Sequence, residues 1–422
     1  MFDFDKRIIE LSEKASEKAK AQFEKIDETT EYNQQKMLKA FINGGVSESC
    51  FTESTGYGYG DRGREIIDRV FAEAVGAEDS IVRHNFTCGT HTLAVALFGV
   101  LRPGDIMLSV TGRPYDTIHP VIGISESNEN MGSLKDFGVK YEEINLNDEG
   151  RMDFDAIEKR LSSGDVKMVY IQRSRGYSLR PTLSVDEIRK VVDIAKKYEN
   201  TMVMVDNCYG EWTEKIEPTD VGADLMAGSL IKNPGGGIAK TGGYIAGKKK
   251  WVEKCAYRLT TPGLGREVGA TLGESRNLFL GIYNGPHVVG EALKTAVYVS
   301  ALFGLLGFDT TPHTHETRHD IIQAVKLGDE KKLIAFCQGL QKGAPVDSFV
   351  TPMPWDMPGY DNQVIMAAGA FTLGSSIELS ADAPLREPYA VWLQGGLNFH
   401  SSKIAVMYAA TEVMKIMEES EK

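Results

Sequence analysis

A lysine at position 232 lies in Asp224-Leu-Met-Ala-Gly-Ser-Leu-Ile-Lys232-Asn-Pro-Gly-Gly-Gly. Asp206 stands 26 positions earlier (232 − 206) and closes the apolar run Thr201-Met-Val-Met-Val-Asp206. Ser229 stands three residues before the lysine. An acid ending a buried strand, followed by a hydroxyl-bearing lysine segment, is the layout that pyridoxal 5′-phosphate (PLP) chemistry needs. The lysine amine condenses with the aldehyde of that cofactor. The carboxylate keeps the pyridine nitrogen protonated, so the ring draws electrons. Ser229 is placed to hold the phosphate.

A second phosphate element precedes the apolar stretch that starts at Thr90, in Asn85-Phe-Thr-Cys-Gly89. Amides at a helix N-terminus, with the helix dipole, favour an anion. Gly89 permits close approach and the Thr90 hydroxyl adds a bond. Taken alone, the segment is equally an ordinary glycine turn with a threonine cap; Lys232 and Asp206 in the same region favour phosphate. Tyr115, in Thr111-Gly-Arg-Pro-Tyr-Asp, is placed to stack on the cofactor ring and reach substrate with its hydroxyl. His91 is the weaker candidate for stacking. Arg386, in Ser380-Ala-Asp-Ala-Pro-Leu-Arg386, offers a fork for a substrate carboxylate, with Arg173 and Arg175 as rivals.

Three further motifs compete. Gly58-x-Gly60-x-x-Gly63 has the spacing of a dinucleotide fingerprint, but no apolar strand precedes it. It reads better as an arm donating Tyr59 and Arg62 or Arg64 to a phosphate. His315-Glu-Thr-Arg-His319 has the spacing of a zinc hydrolase motif with Glu316 as base, which requires a helix there. No third ligand is evident, although His313 is near, and a surface helix start is the plainer reading. Gly242-x4-Gly247-Lys248 lacks the Ser or Thr of a nucleotide phosphate loop and reads as a strand end.

The elements that must position these residues alternate. Apolar spacing predicts a helix from 4 to about 40 and another over 64–75. Strands are expected at 80–83, 106–110, 139–144, 166–172, 201–206, 225–231 and 242–247, with helices at 90–101, 153–161 and 185–198. That pattern implies an α/β domain with a mostly parallel sheet covered on both faces. Functional groups then fall in loops at the carboxyl ends of strands, where Asp206 and Gln172 lie. A helix at about 286–306 leads into a small α+β region, with strands at 364–371, 376–379 and 389–393 and a closing helix at 401–417. The expected division is an N-terminal helical arm and loop over 1–63, a large domain over 64–285, and a linking helix with the small domain over 286–422.

The bulk numbers agree with an enzyme of this kind. The chain has 422 residues, 42% of them hydrophobic, enough for a large core plus a smaller one. A net charge of −12 argues against general nucleic-acid binding. Five scattered cysteines without a CxxC pair fit reduced thiols. The start, Met1-Phe-Asp-Phe-Asp-Lys-Arg, has no apolar signal core, and no apolar run approaches the ~20 residues of a membrane span. A cytoplasmic protein is expected.

Together these residues resemble the fold-type I PLP enzymes of cysteine and methionine metabolism, such as cystathionine β-lyase and methionine γ-lyase. The resemblance is closer to a bacterial group within them, the aluminium-resistance proteins. It is carried by Gly56-Tyr-Gly-Tyr-Gly-Asp, Thr111-Gly-Arg-Pro-Tyr-Asp, Val205-Asp-Asn-Cys-Tyr-Gly-Glu211, Ser229-Leu-Ile-Lys-Asn-Pro-Gly-Gly and Ser376-Ile-Glu-Leu-Ser-Ala-Asp. The resemblance implies an aspartate aminotransferase-like fold and a carbon–sulfur lyase acting on a sulfur-containing amino acid. Lys232 would bind PLP covalently, Asp206 would pair with the pyridine nitrogen, and Ser229, Gly89 and Thr90 would hold the phosphate. Tyr115 would stack on the ring. Tyr59 and an arginine of its loop, Arg62, would come from a neighbouring subunit of a homodimer or homotetramer. Ile231 stands where the better-known lyases have Thr, and Arg386 lies in a different motif from their carboxylate-binding arginine. Substrate identity, and β- against γ-elimination, stay open. So do γ-replacement, retro-aldol cleavage, a zinc hydrolase and a non-catalytic PLP-binding protein.

Overall fold

The structure, a computed structural model, describes residues 2–125, 130–356 and 362–420. The elements run α1 (Lys6–Gly44), α2 (Arg62–Ala74), β1 (Asp79–Arg83), α3 (Gly89–Val100), β2 (Ile106–Ser109), α4 (His119–Ile122), β3 (Lys140–Glu143), α5 (Phe154–Leu161), β4 (Val166–Gln172), α6 (Val185–Ala195), β5 (Met202–Asp206), β6 (Leu225–Ser229), β7 (Gly243–Gly247), α7 (Lys249–Leu259) and α8 (Ser275–Leu305). There follow β8 (Asp309–Thr311), β9 (Gln323–Lys326), α9 (Glu330–Lys342), β10 (Val364–Ala367), β11 (Ser380–Pro384), β12 (Ala390–Gln394) and α10 (Phe399–Ser420). Contacts divide the chain into two units. One holds Tyr32–Gly176 and Arg180–Gly285; the other holds Met1–Glu31, Tyr177–Leu179 and Pro286–Lys422. The stretch 1–63 is thus shared between the units rather than standing apart.

The larger unit is built on a seven-stranded sheet in the order β1-β7-β6-β5-β4-β2-β3. Strands β6, β5, β4, β2 and β3 run parallel, and β7 runs antiparallel to both its neighbours. The strands β2, β5, β6 and β7 are buried along their whole length, which is why they read as continuous apolar runs rather than alternating ones. Helix starts follow local capping chemistry. Asp61 accepts the Arg64 N–H at 2.8 Å, and Ser184 with Glu187 forms a reciprocal box at α6.

The smaller unit has a five-stranded antiparallel sheet, β10-β11-β12-β9-β8, packed with α9 and α10. Here sequence and structure differ. The strand expected at 376–379 lies instead at Ser380–Pro384. Glu378 explains the shift: its carboxylate accepts the backbone N–H groups of Phe371 and Thr372, each at 2.8 Å, and fixes an irregular turn. The small alternating residues Ala381 and Ala383, fully buried, make the strand that follows. Helix α8 begins at Ser275, with Pro286 inside it rather than at its start. By length and composition it is the one helix among the described residues able to cross a membrane, but 78% of its apolar window is buried within the protein.

Candidate active site

Lys232 follows β6, and Asp206 ends the adjacent parallel strand β5. Asp206 is buried and Lys232 half-buried. The Asp206 carboxylate accepts the Cys208 N–H at 3.1 Å through Oδ1 and the Tyr170 hydroxyl at 3.4 Å through Oδ2. Burial pushes Asp206 upward, and the Lys232 charge opposes that. Burial likewise works against the Lys232 ammonium. Cys208, Tyr209, Asp206 and Tyr115 favour the charge, and the net direction for Lys232 is upward. The Lys232 Nζ also sits 4.0 Å from the centre of the Tyr209 ring.

Ser229 ends β6 with 1% of its surface exposed, and its Oγ has no hydrogen-bond partner among the described residues. A buried hydroxyl left so is costly unless a ligand satisfies it. Gly89 opens α3 directly opposite. A Cβ placed on it would lie 3.5 Å from the Ser229 Cβ and 3.7 Å from the Cys208 Sγ. The first-turn amides of α3 have no acceptor within the helix, as at any helix start. Cys88 caps this helix, its sulfur accepting the His91 N–H at 3.3 Å. The orphaned hydroxyl and the facing helix start make a cradle that fits a phosphate, so these residues fit PLP. Thr90 lies at the same helix start, with its hydroxyl donating to Thr117 at 2.9 Å. The His91 ring is turned back: its Nδ1 accepts the Thr87 N–H at 3.1 Å, so it is tied to its own loop.

Tyr115 is half-buried, and its backbone N–H donates to the Gln172 Oε1 at 2.6 Å. Gln172 ends β4, next to β5, so the strand fixes the loop that carries Tyr115. The Tyr115 ring packs on the backbone of Gly176, where a Cβ would approach it to 3.3 Å.

The glycine loop stands outward. Tyr59 is 65% exposed and stacks on Tyr57 at 5.5 Å. Arg62 is exposed and makes no hydrogen bond or ion pair among the described residues. Arg64, its alternative, is committed: it is buried, donating to the carbonyls of Gly269 at 2.7 Å and Glu267 at 3.2 Å. Arg386 lies exposed in the turn joining β11 and β12 of the smaller unit. Arg175 is buried.

Arg173 is removed as a rival for substrate. It is fully buried, pairs with Glu214 at 2.7 Å and Glu217 at 3.5 Å, and donates to Asn207 Oδ1 and the Gly210 carbonyl, each at 2.9 Å. The zinc motif also fails on geometry. Residues 315–319 form an irregular turn, not a helix, and the Glu316 carboxylate accepts the His313 N–H at 2.6 Å. The two histidines are therefore not set one helical turn apart, as that motif requires.

Sequence reasoning did not single out Cys208, Tyr209 or Glu211. All three lie in the loop directly after β5, and that position at a strand's carboxyl end was the available signal. Glu211 is fully buried. Its Oε1 accepts the Tyr244 hydroxyl at 2.7 Å, while Oε2 has no partner among the described residues. Burial raises its carboxyl from an ordinary 4.5 to about 8. A raised acid means the folded chain keeps a proton that the unfolded chain releases. The associated stability is whole below about 4.5 and is lost as pH rises through about 8. Glu211→Gln is expected to lose less melting temperature than wild type between these two pH values, measured by thermal scans of the apoprotein.

This sheet order, with a lysine beyond β6 and an aspartate ending β5, is that of the fold-type I PLP-dependent enzymes. The PLP-dependent protein YhfS from Escherichia coli shares the fold at TM-score 0.60 and 15% identity, over 93% of this chain and 97% of that one. The methionine gamma-lyase family model matches residues 8–414, and the chain belongs to that family. It is 50% identical, at TM-score 0.93, to a carbon-sulfur lyase involved in aluminum resistance from Clostridium novyi NT, covering 97% of this chain and 96% of that chain. It is also 47% identical to the uncharacterized protein YnbB of Bacillus subtilis (strain 168), over 92% of each chain.

Proposed function

We propose that this protein is a PLP-dependent carbon–sulfur lyase that releases a sulfur leaving group from an amino acid, leaving a keto acid and ammonia. The observation that carries the proposal is the meeting of half-buried Lys232 and buried Asp206 with the partnerless Ser229 hydroxyl beside the start of α3. Family membership supports the reaction class. The carbon–sulfur lyase of Clostridium novyi NT supports the choice of a sulfur-bearing substrate.

Ser229, Gly89 and Thr90 would hold the phosphate, Asp206 the pyridine nitrogen, and Tyr115 the ring face. PLP, when bound, would supply the electron sink that makes a Cα–H bond breakable. Lys232 would take the Cα proton on Nζ and return a proton later, a task suited to an amine on a mobile stem. Asp206 would stay ionised, because a cation beside it offsets its burial. Tyr57 and Tyr59, stacked and exposed, support a neighbouring copy of this chain completing the site with Tyr59 and Arg62.

The test is an absorbance spectrum before and after borohydride reduction, then product analysis with cystathionine, cysteine, methionine and threonine. A band near ~420 nm, lost on reduction with label left on Lys232, is the expected result. No band after adding PLP would overturn the proposal. Asp206→Ala is expected to bind PLP weakly and to lose the band on dialysis, while wild type keeps it.

A further inference from the structure

We infer that Cys88 is a modification site at the mouth of the phosphate cradle: a low-molecular-weight disulfide caps its thiol, and the cap and PLP exclude one another. This rests on the PLP reading above and deepens it, because cofactor loading then answers to the thiol–disulfide balance around the protein.

Position comes first. Cys88 is the cap residue of α3, directly before Gly89, so the two Cα atoms stand about 3.8 Å apart. Gly89 faces the Ser229 side chain and the Cys208 sulfur across the cradle. The Cys88 sulfur accepts the His91 N–H at 3.3 Å, which sets it against the first turn of the helix. The amides of Gly89 and Thr90, in that same turn, are the ones left for an anion. A second observation points to a ligand here: the Ser229 hydroxyl, on a residue 1% exposed, has no partner among the described residues. A thiol and a phosphate site therefore share one helix start.

Reactivity follows from exposure. Cys88 is exposed, whereas Cys50, Cys208, Cys255 and Cys337 are buried. Burial also pushes the thiols of Cys208, Cys255 and Cys337 upward, away from the thiolate that attacks disulfides. A dissolved disulfide thus meets one thiol of the five. The Cys88 sulfur bonds to one sulfur of the disulfide, and the S–S bond breaks. The other half leaves as a free thiol with the proton that Cys88 gives up. Cys88 is oxidised and the leaving half reduced.

The new S–S bond, about 2.05 Å long, starts from a sulfur that already lies against the first-turn amides. The attached half fills the approach to Gly89. Where it carries carboxylates, it competes with the phosphate for the same positive helix end. A bound phosphate shields the sulfur by the same overlap. Cys88→Ser removes the thiol and keeps a cap, since a serine oxygen accepts the same N–H.

The experiment incubates apoprotein and PLP-loaded protein with glutathione disulfide and reads each by intact mass and peptide mapping. Label on Cys88 in the apoprotein, with Cys88 spared in the loaded protein, is expected. After the free disulfide is removed, PLP is titrated into the labelled apoprotein and followed by the ~420 nm band. Its affinity should be about 10-fold or more below that of unlabelled apoprotein, and dithiothreitol should restore it. Cys88→Ser should bind PLP alike before and after the treatment. An unlabelled Cys88 in the apoprotein, equal label in both forms, or unchanged PLP affinity after labelling overturns the inference while the PLP reading stands. So does a treated Cys88→Ser that loses affinity. Should that variant not fold, the wild-type arms decide alone. No band when PLP is added to untreated apoprotein overturns the PLP reading and this inference with it.

Discussion

Lys232→Ala is expected to lose turnover and covalent cofactor attachment together. The rate loss should be at least the roughly 10²–10⁴-fold that a positioned proton-transfer group contributes. Lys232 lies over Tyr209 and in the field of Cys208, Tyr209, Asp206 and Tyr115. The fold should survive the change. Removing the side chain takes away a half-buried cation, and Asp206, freed of its charge, takes up a proton under the burial that already pushes it upward. The pair is replaced by a neutral acid rather than by a lone charge. Steady-state assays should show no product, the ~420 nm band should be absent, and a melting scan should still show a cooperative transition. Small primary amines should restore part of the proton transfer, because the deleted methylenes leave room for one. Turnover near the wild-type rate in Lys232→Ala would show that the reaction uses another group.

The parts of this molecule written locally in the chain could be read from it. The strands from β5 to β7 are largely apolar runs closed by Asp, Ser or Gly, and burial on both faces of the sheet writes that pattern directly. Lys232, Asp206 and Ser229 stand at the ends of such runs, so their chemistry was visible too. Elements set by tertiary pairing were not. The strands β8 and β9 have three and four residues and little pattern of their own. Pro286 looked like a boundary, yet α8 runs through it. The roles of Glu211 and Arg173 depend on partners 33 and 34 positions away or more, Tyr244 and Asn207, which no spacing rule links. The same blindness made a zinc motif of His315-Glu-Thr-Arg-His319, whose spacing is right and whose backbone is not.

Arg173→Ala is expected to cost about 3–5 kcal/mol of stability, the range for removing one partner of a buried ion pair. The reading of Arg173 as a substrate anchor predicts something else: a higher KM with stability intact. The contacts choose between them. Both terminal nitrogens of the guanidinium are spent on the loop after β5, on Asn207, Gly210, Thr213 and Glu214, with Glu217 fully buried at 3.5 Å, and Nε donates to the Leu183 carbonyl at 3.4 Å. That loop holds Tyr209 and Trp212 at φ of 69° and 63°, backbone that bulky residues adopt only at a cost of about 1–3 kcal/mol each. Arg173 is the brace that keeps them there, and Tyr209 is the ring beneath Lys232. Arg173→Lys retains the charge but not the fork, so it should recover only part of the stability. Glu217→Gln added to Arg173→Ala should also recover part, because it removes the buried charge that the first change strands. Urea unfolding of wild type, Arg173→Ala, Glu217→Gln and the double variant measures this directly, with Arg173→Lys alongside. Additive losses in the double variant would mean that Arg173 and Glu217 do not act as a pair, and the loop would then need another brace to hold Tyr209 against Lys232.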